Sequence, residues 1–490
     1  MTRANPLRRA MARGRTIAAN DTERQVATPL FWLSAALLSL AFVFGGESRD
    51  NPLSTMMVEL LGVTLLAATV WSRVLAGTGR VGWPEAALLG VIFLVPVLQL
   101  IPLPPSLWMT LPGRHEAVET LRIAGIEPGW SPLSLDPEAT FRSVLWLVPP
   151  TALFLAIADL DTGARVRLVG VVLALCIASL ILGGLQITDR DGGLFASPAG
   201  GRTALPIGFF ANRNHQGIAM AAALPLAAAS AAIWGSASSQ RTRAANIVFA
   251  ALVALLIVGV LVTRSRAALT LSGPALLASI GLFWAASGAK RLRREAALMI
   301  GAAAVALVLA AQFAIRAMLD RFETLADGDG RFDIWPSTVK AGADVAPFGA
   351  GLGAFESFYR AWEPLERMGP TFINHAHNDY LELFLEAGWP GVFTFLAFFT
   401  WLVPVAWRAW AIRSPQTALA RAGTIIILLL LIHSVVDYPL RTFALSGLFA
   451  LACGLIAAPA LGGKDARLLP GSSRRRDRSS STIPGDADGR

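Results

Sequence analysis

The chain has 490 residues, of which 54% are hydrophobic and 15% charged, and its mean hydropathy is +0.56. Such a composition excludes an ordinary soluble domain and predicts a polytopic membrane protein. The net charge of +9 does not point to nucleic acid. The basic residues fall at the two ends and in alternate short loops, which is the positive-inside pattern of a multi-span chain, with anionic membrane lipids as their contacts.

In chain order, Arg3, Arg8, Arg9, Arg13, Arg15 and Arg24 precede the first apolar run, so residues 1–27 read as a basic cytoplasmic segment. Runs able to cross hydrocarbon as helices then recur about twelve times, at roughly 28–46, 53–71, 85–103, 143–159, 168–186, 216–234, 245–262, 267–286, 296–316, 388–406, 422–437 and 443–459. No small-x-small cleavage site follows the first, which reads as a retained anchor. Arg73, Arg80, Arg165, Arg167, Arg241, Arg243, Lys290, Arg291, Arg293, Arg294, Arg408 and Arg413 mark alternate loops as cytoplasmic. An even number of spans returns the C-terminus to the same side. The expected fold is all-α, with about twelve transmembrane helices, both termini cytoplasmic and a long periplasmic loop between spans nine and ten. We expect an N-terminal transmembrane bundle over 28–204, a second transmembrane domain over 205–460, and a disordered basic tail over 461–490 carrying Arg474, Arg475, Arg476 and Arg478. Cys176 and Cys453 fall inside spans and read as buried small hydrophobes.

Fixing the ends inside leaves three long external loops, at about 104–142, 187–214 and 316–388. The third, roughly 70 residues, exceeds ordinary connector length and points to function. It is expected to open with a helical stretch from Met318 to Leu325, then to turn at Asp327-Gly328-Asp329-Gly330. A short helix is expected at Arg331-Phe332-Asp333-Ile334-Trp335. The following Pro347-Phe348-Gly349-Ala350-Gly351-Leu352-Gly353 lacks the Gly-Lys-Ser/Thr ending of a nucleotide loop, and close backbone packing against a ligand or the membrane is expected instead. The loop ends in His375-Ala376-His377-Asn378-Asp379-Tyr380-Leu381-Glu382. From His377 the pattern is helical, with Leu381, Phe384 and Leu385 on one face and Asn378, Glu382 and Glu386 on the other. This segment is expected to lie along the membrane interface and bend at Gly388-Trp389-Pro390-Gly391 into the next span.

Two imidazoles at a lipid boundary are costly if idle, and imidazole is the side chain best suited to move a proton near neutral pH. Topology does not require arginines on the external side. Yet Arg213 lies in Asn212-Arg213-Asn214, Arg264 and Arg266 in one short turn, Arg331 in the long loop and Arg441 in the last external turn. A guanidinium fork is a preferred partner for a diphosphate; snorkelling to headgroups is the alternative for any one of them. His433, Asp437 and Arg441 recur at i, i+4 and i+8 at the outer end of span eleven. There a carboxylate one turn away orients an imidazole, an intramembrane structural network being the alternative. His115 in the first loop reads as solvated. His375-x-His377 with Asp379 lacks the rest of a tetrahedral ligand set, and Asp327-x-Asp329 between glycines reads as a turn, so neither metal nor cofactor is expected.

Nucleotide-activated donors are not available outside the cytoplasm, so a synthetic reaction there must use a donor carried across on lipid. A polyprenyl diphosphate sugar fits. Arg213 and Arg266 can stabilise its departing diphosphate, and His377 or His375 can take the acceptor proton. Asn378, Asp379 or Glu382 can orient the imidazole.

His377-Asn378-Asp379-Tyr380-Leu381 with Gly388-Trp389-Pro390-Gly391 resembles the signature of the bacterial O-antigen ligase and O-antigen polymerase superfamily. Arg331 to Trp335 followed by Gly349-x-Gly351-x-Gly353-x-Phe355 is similar to the start of the same domain. Asn212-Arg213-Asn214 and Ser265-Arg266-Ala267 are similar to its two upstream arginine motifs, and His433 to Arg441 to a closing motif of exopolysaccharide-type members. The resemblance implies a metal-independent glycosyltransferase of the bacterial inner membrane, acting at the periplasmic face on undecaprenyl diphosphate-linked glycan. It also implies that Arg213 and Arg266 hold the diphosphate and that the loop histidine activates the acceptor. His377 is favoured for that role because it directly precedes Asn378. The acceptor is expected to be lipid A-core in a ligase, a second lipid-linked glycan in an O-antigen or exopolysaccharide polymerase, or a protein in an O-oligosaccharyltransferase. A lipid-linked glycan transporter is disfavoured because the polar groups gather at external helix ends rather than mid-span.

Overall fold

The structure is a computed structural model that describes residues 28–46, 51–75, 82–188, 206–236, 238–287, 331–368, 372–412 and 417–458. The expected ninth span, the start of the third loop, the Asp327-x-Asp329 pair and both termini lie outside the described residues.

The described chain is built from helices: α1 (Thr28–Phe44), α2 (Pro52–Leu75), α3 (Trp83–Gln99), α4 (Pro105–Trp108), α5 (His115–Ala124), α6 (Pro137–Trp146), α7 (Val148–Asp159), α8 (Thr162–Thr188), α9 (Arg213–Gly235), α10 (Ser239–Thr263) and α11 (Arg266–Ser287). There follow α12 (Arg331–Asp344), α13 (Phe355–Tyr359), α14 (Asp379–Ala411), α15 (Ala418–His433) and α16 (Phe443–Ala457). Each expected span within the described residues falls on one or two of these. Among the described residues seven helical segments are long and apolar enough to cross a membrane. The four shorter apolar helices are α1, α3, α15 and α16. Two of these stop earlier than their apolar runs suggested. α3 ends at Gln99 and α15 at His433 because the residues beyond turn into a polar frame at one end of the bundle.

α9 is the central helix, packed against α8, α10, α11 and α15. Its alanine-rich sequence lets backbones approach closely, as small residues do at helix interfaces inside membranes. At Gly217 a Cβ would stand 2.6 Å from the Ala268 Cβ and 3.0 Å from the Thr263 Oγ1. That contact seats the α10–α11 turn against the first turns of α9. α7 packs between α2 and α16, and α3 lies on α14 and α6. Cys176 and Cys453 are free and buried, as expected.

The frame joins the first and third loops. A two-residue pairing sets Pro102 opposite Pro132. Gln99, buried, donates to the carbonyls of Phe348 (3.1 Å) and Glu386 (2.9 Å) and accepts from the Leu352 N–H (2.9 Å). The glycine-rich piece was expected to approach a ligand or the membrane. It approaches the protein's own chain instead. Gly351 (φ 117°) leaves no room for a Cβ beside Ser134 and Thr140, and Gly349 (φ 80°) none beside the Glu386 carbonyl. The expected bend is present: Gly388 is non-helical (φ 55°, ψ −143°), and the Trp389 N–H donates to the Pro347 carbonyl at 2.9 Å.

Candidate active site

The His-containing end of the third loop does not become helical at His377. His377 itself is left-handed (φ 51°), a conformation non-glycine residues seldom adopt and which clusters at functional sites. The helix begins at Asp379, capped by Asn378, whose side-chain oxygen accepts from the N–H groups of Tyr380 (3.0 Å) and Leu381 (3.1 Å). The Asn378 amide donates to the Val435 carbonyl (2.9 Å), and the Ser434 hydroxyl donates to Asp379 (2.7 Å). The first turn of α14 is thereby joined to the residues that leave α15.

The amphipathic reading of α14 needs correcting. Its polar face is turned inward: Asp379 is 7% exposed, and Glu382 and Glu386 are each 1% exposed. The cause is Arg441, whose guanidinium lies 2.8 Å from Glu386, 3.5 Å from Glu382 and 3.6 Å from Asp379. Burial alone lowers a guanidinium's pKa, but Glu386, Glu382 and Asp379 together raise that of Arg441 above its usual value. Arg441 is therefore engaged with all three carboxylates. The i, i+4, i+8 spacing of His433, Asp437 and Arg441 does not correspond to one continuous helix, as Pro439 argues for the residues beyond Tyr438. α15 ends at His433, and Arg441 closes a separate 3-10 turn, Pro439–Arg441.

Asp437 is the second centre. It is wholly buried. The Asn214 amide donates to it at 2.6 Å, and the His377 Nδ1 stands 3.4 Å from its Oδ1. His215 and His433 approach it at 3.8 and 3.9 Å. The carboxylate thus lies nearer the loop imidazole than the helical one that spacing suggested. His375 has its own carboxylate: its Nδ1 is 2.8 Å from Glu382 Oε1, while the other Glu382 oxygen accepts from the Ala376 N–H at 2.8 Å. The Tyr438 ring lies among three imidazoles, with centroid distances of 4.2 Å to His375, 4.9 Å to His377 and 5.0 Å to His215.

Arg213 opens α9 between Asn212 and Asn214, whose amides lie 3.5 and 2.6 Å from Asp437. Arg264 ends α10 in the left-handed conformation (φ 52°), and Arg266 opens α11. Both are exposed, and their turn rests on α9 through Gly217. Arg331 opens α12, and its side chain lies outside the described structure. His115 is exposed. Among the described residues no group of three or more His, Cys, Asp or Glu side chains is disposed to hold a metal ion. His215, Asn214, Tyr438 and Glu386 were not singled out from sequence as site residues. Asn214 and His215 directly follow Arg213, and Glu386 continues the Glu382 spacing. Those adjacencies were the available signal.

Residues 242–396 match the family model described as O-antigen ligase. Over that segment, about a third of its length, the chain is similar to the O-antigen ligase family. The matched segment carries the Arg264–Arg266 turn, both loop histidines and the Gly388 bend. Asn212–His215 and His433–Arg441, which complete the constellation, lie on either side of it. Comparison with curated proteins gives no match.

Proposed function

We propose that this O-antigen ligase-like membrane protein is a glycosyltransferase of the bacterial inner membrane, acting at the periplasmic face. It moves glycan from an undecaprenyl diphosphate-linked donor to lipid A-core. The observation that carries the reading is the convergence on Asp437 of the Arg213-bearing end of α9 and the His377 loop, with the Arg266 turn braced on α9 alongside.

In this reading His377 takes the proton of the acceptor hydroxyl as that oxygen attacks the anomeric carbon. Asp437 orients the ring and favours the imidazolium that forms. The bond from the sugar to the diphosphate breaks, and the leaving oxygen keeps the electron pair. Arg213 and Arg266, fixed at the starts of two helices, meet that charge. The reaction so written needs no metal.

Purified protein is to be given a defined undecaprenyl diphosphate-linked glycan with lipid A-core or with a second donor molecule. Glycan appearing on lipid A-core, unaffected by chelator, is the expected result. Growth of lipid-linked polymer instead assigns the polymerase activity. No transfer to either overturns the proposal, and inhibition by chelator reversed by a divalent cation overturns its metal-independent form.

A further inference from the structure

The doubled His375-x-His377 leaves one imidazole without a task in that mechanism. The structure gives His375 surroundings unlike those of His377. It lies on the carboxylate-rich side of Tyr438, bonded to a buried glutamate. Asp379, Glu382 and Glu386 bring three carboxyl groups into the protein, and among the described residues the Arg441 guanidinium reaches all three. Buried charges need partners, and the His375 ring at 2.8 Å from Glu382 is placed to supply a second cation to the group. With Nδ1 committed to Glu382, Nε2 is the ring's remaining polar atom, and the side chain is 18% exposed. The ring also neighbours His215, which is two residues beyond Arg213. Charged groups near His375 are therefore Glu382 and Glu386 from α14 and Arg441 from the turn before α16, with the buried, titratable His215 of α9 also close by.

We propose that His375 is an imidazolium held by Glu382, and that its Nε2–H donates to the diphosphate of the lipid carrier, beside Arg213 and Arg266. This assignment rests on the proposed function and divides its chemistry between the two histidines. His377 gains the acceptor proton. His375 keeps its own and only shares it with the departing phosphate oxygen, so the proton balance of the transfer is unchanged.

The test uses the full chain in nanodiscs and measures binding of undecaprenyl diphosphate alone, without transfer. His375→Gln keeps a donor for Glu382 but removes the charge. It should weaken binding about tenfold at pH 6, while His377→Gln stays within about twofold of wild type. Glu382→Gln should weaken binding in the same direction, which guards against a fold defect specific to one variant, and thermal unfolding followed by tryptophan fluorescence checks each protein. Unchanged binding in folded His375→Gln overturns the assignment and leaves the proposed function standing. A wild-type protein that does not bind undecaprenyl diphosphate overturns both.

Discussion

At residue scale the proposed chemistry rests on two carboxylate–imidazole pairs, His377 with Asp437 and His375 with Glu382. Asp437→Asn preserves shape but withdraws the charge beside His377. It should lower kcat with little change in KM for donor or acceptor, as expected for a group that acts through another. His377→Ala should cost about 10²–10⁴ in transfer rate, the usual worth of a positioned general base, and initial rates with the defined donor measure both. The histidines and their order along the chain were legible in the sequence. Their partners were only half legible. Periodicity set Asp437 beside His433, and the two do lie 3.9 Å apart, but it could not show that the same carboxylate also faces His377 at 3.4 Å. A left-handed residue such as His377 has no signature in hydrophobic pattern, so where its imidazole points could not be read.

At the scale of elements, α14 carries the clearest lesson. Its bend was legible because Gly388-Trp389-Pro390-Gly391 concentrates the residues that interrupt helices. The direction of its acidic face was not, because the face turns inward only when Arg441 arrives from fifty-odd residues later (441 minus 386 is 55). Amphipathicity reports contrast between faces and does not say which face is buried. Gly388→Ala tests the bend. A Cβ there stands 2.1 Å from the Pro347 carbonyl oxygen, in a backbone conformation that disfavours side chains. The variant should lose thermal stability by at least the ~1–3 kcal/mol of such strain, measured as a fall in unfolding temperature. Gln99→Leu should also destabilise: it removes the amide that donates to the carbonyls of Phe348 and Glu386 and accepts from the Leu352 N–H.

For the whole molecule, hydropathy located the helices, and residues of the first and third loops meet through Gln99. Helix ends were less legible where tertiary polar contacts cut the apolar runs short, at Gln99 and His433. Sidedness can be tested directly. With Cys176 and Cys453 replaced by alanine, a single cysteine in place of exposed His115 should react with a membrane-impermeant maleimide added from the periplasmic side. Labelling only after the cytoplasm is opened would reverse the orientation. Arg213→Ala and Arg266→Ala should each insert normally, by the same labelling, yet lose transfer.

The hydrogen bonds of Gln99 also bear on biosynthesis. Its partners lie 249, 253 and 287 residues further along. At ribosomal speeds of about 5–20 residues per second, the interval before they emerge is roughly 12–60 s. During that time α3 is already made while the bonds that will lock its end do not yet exist. The nascent half-protein therefore carries an unquenched amide at the end of α3, and a product truncated before Glu386 should be a substrate for membrane proteolysis.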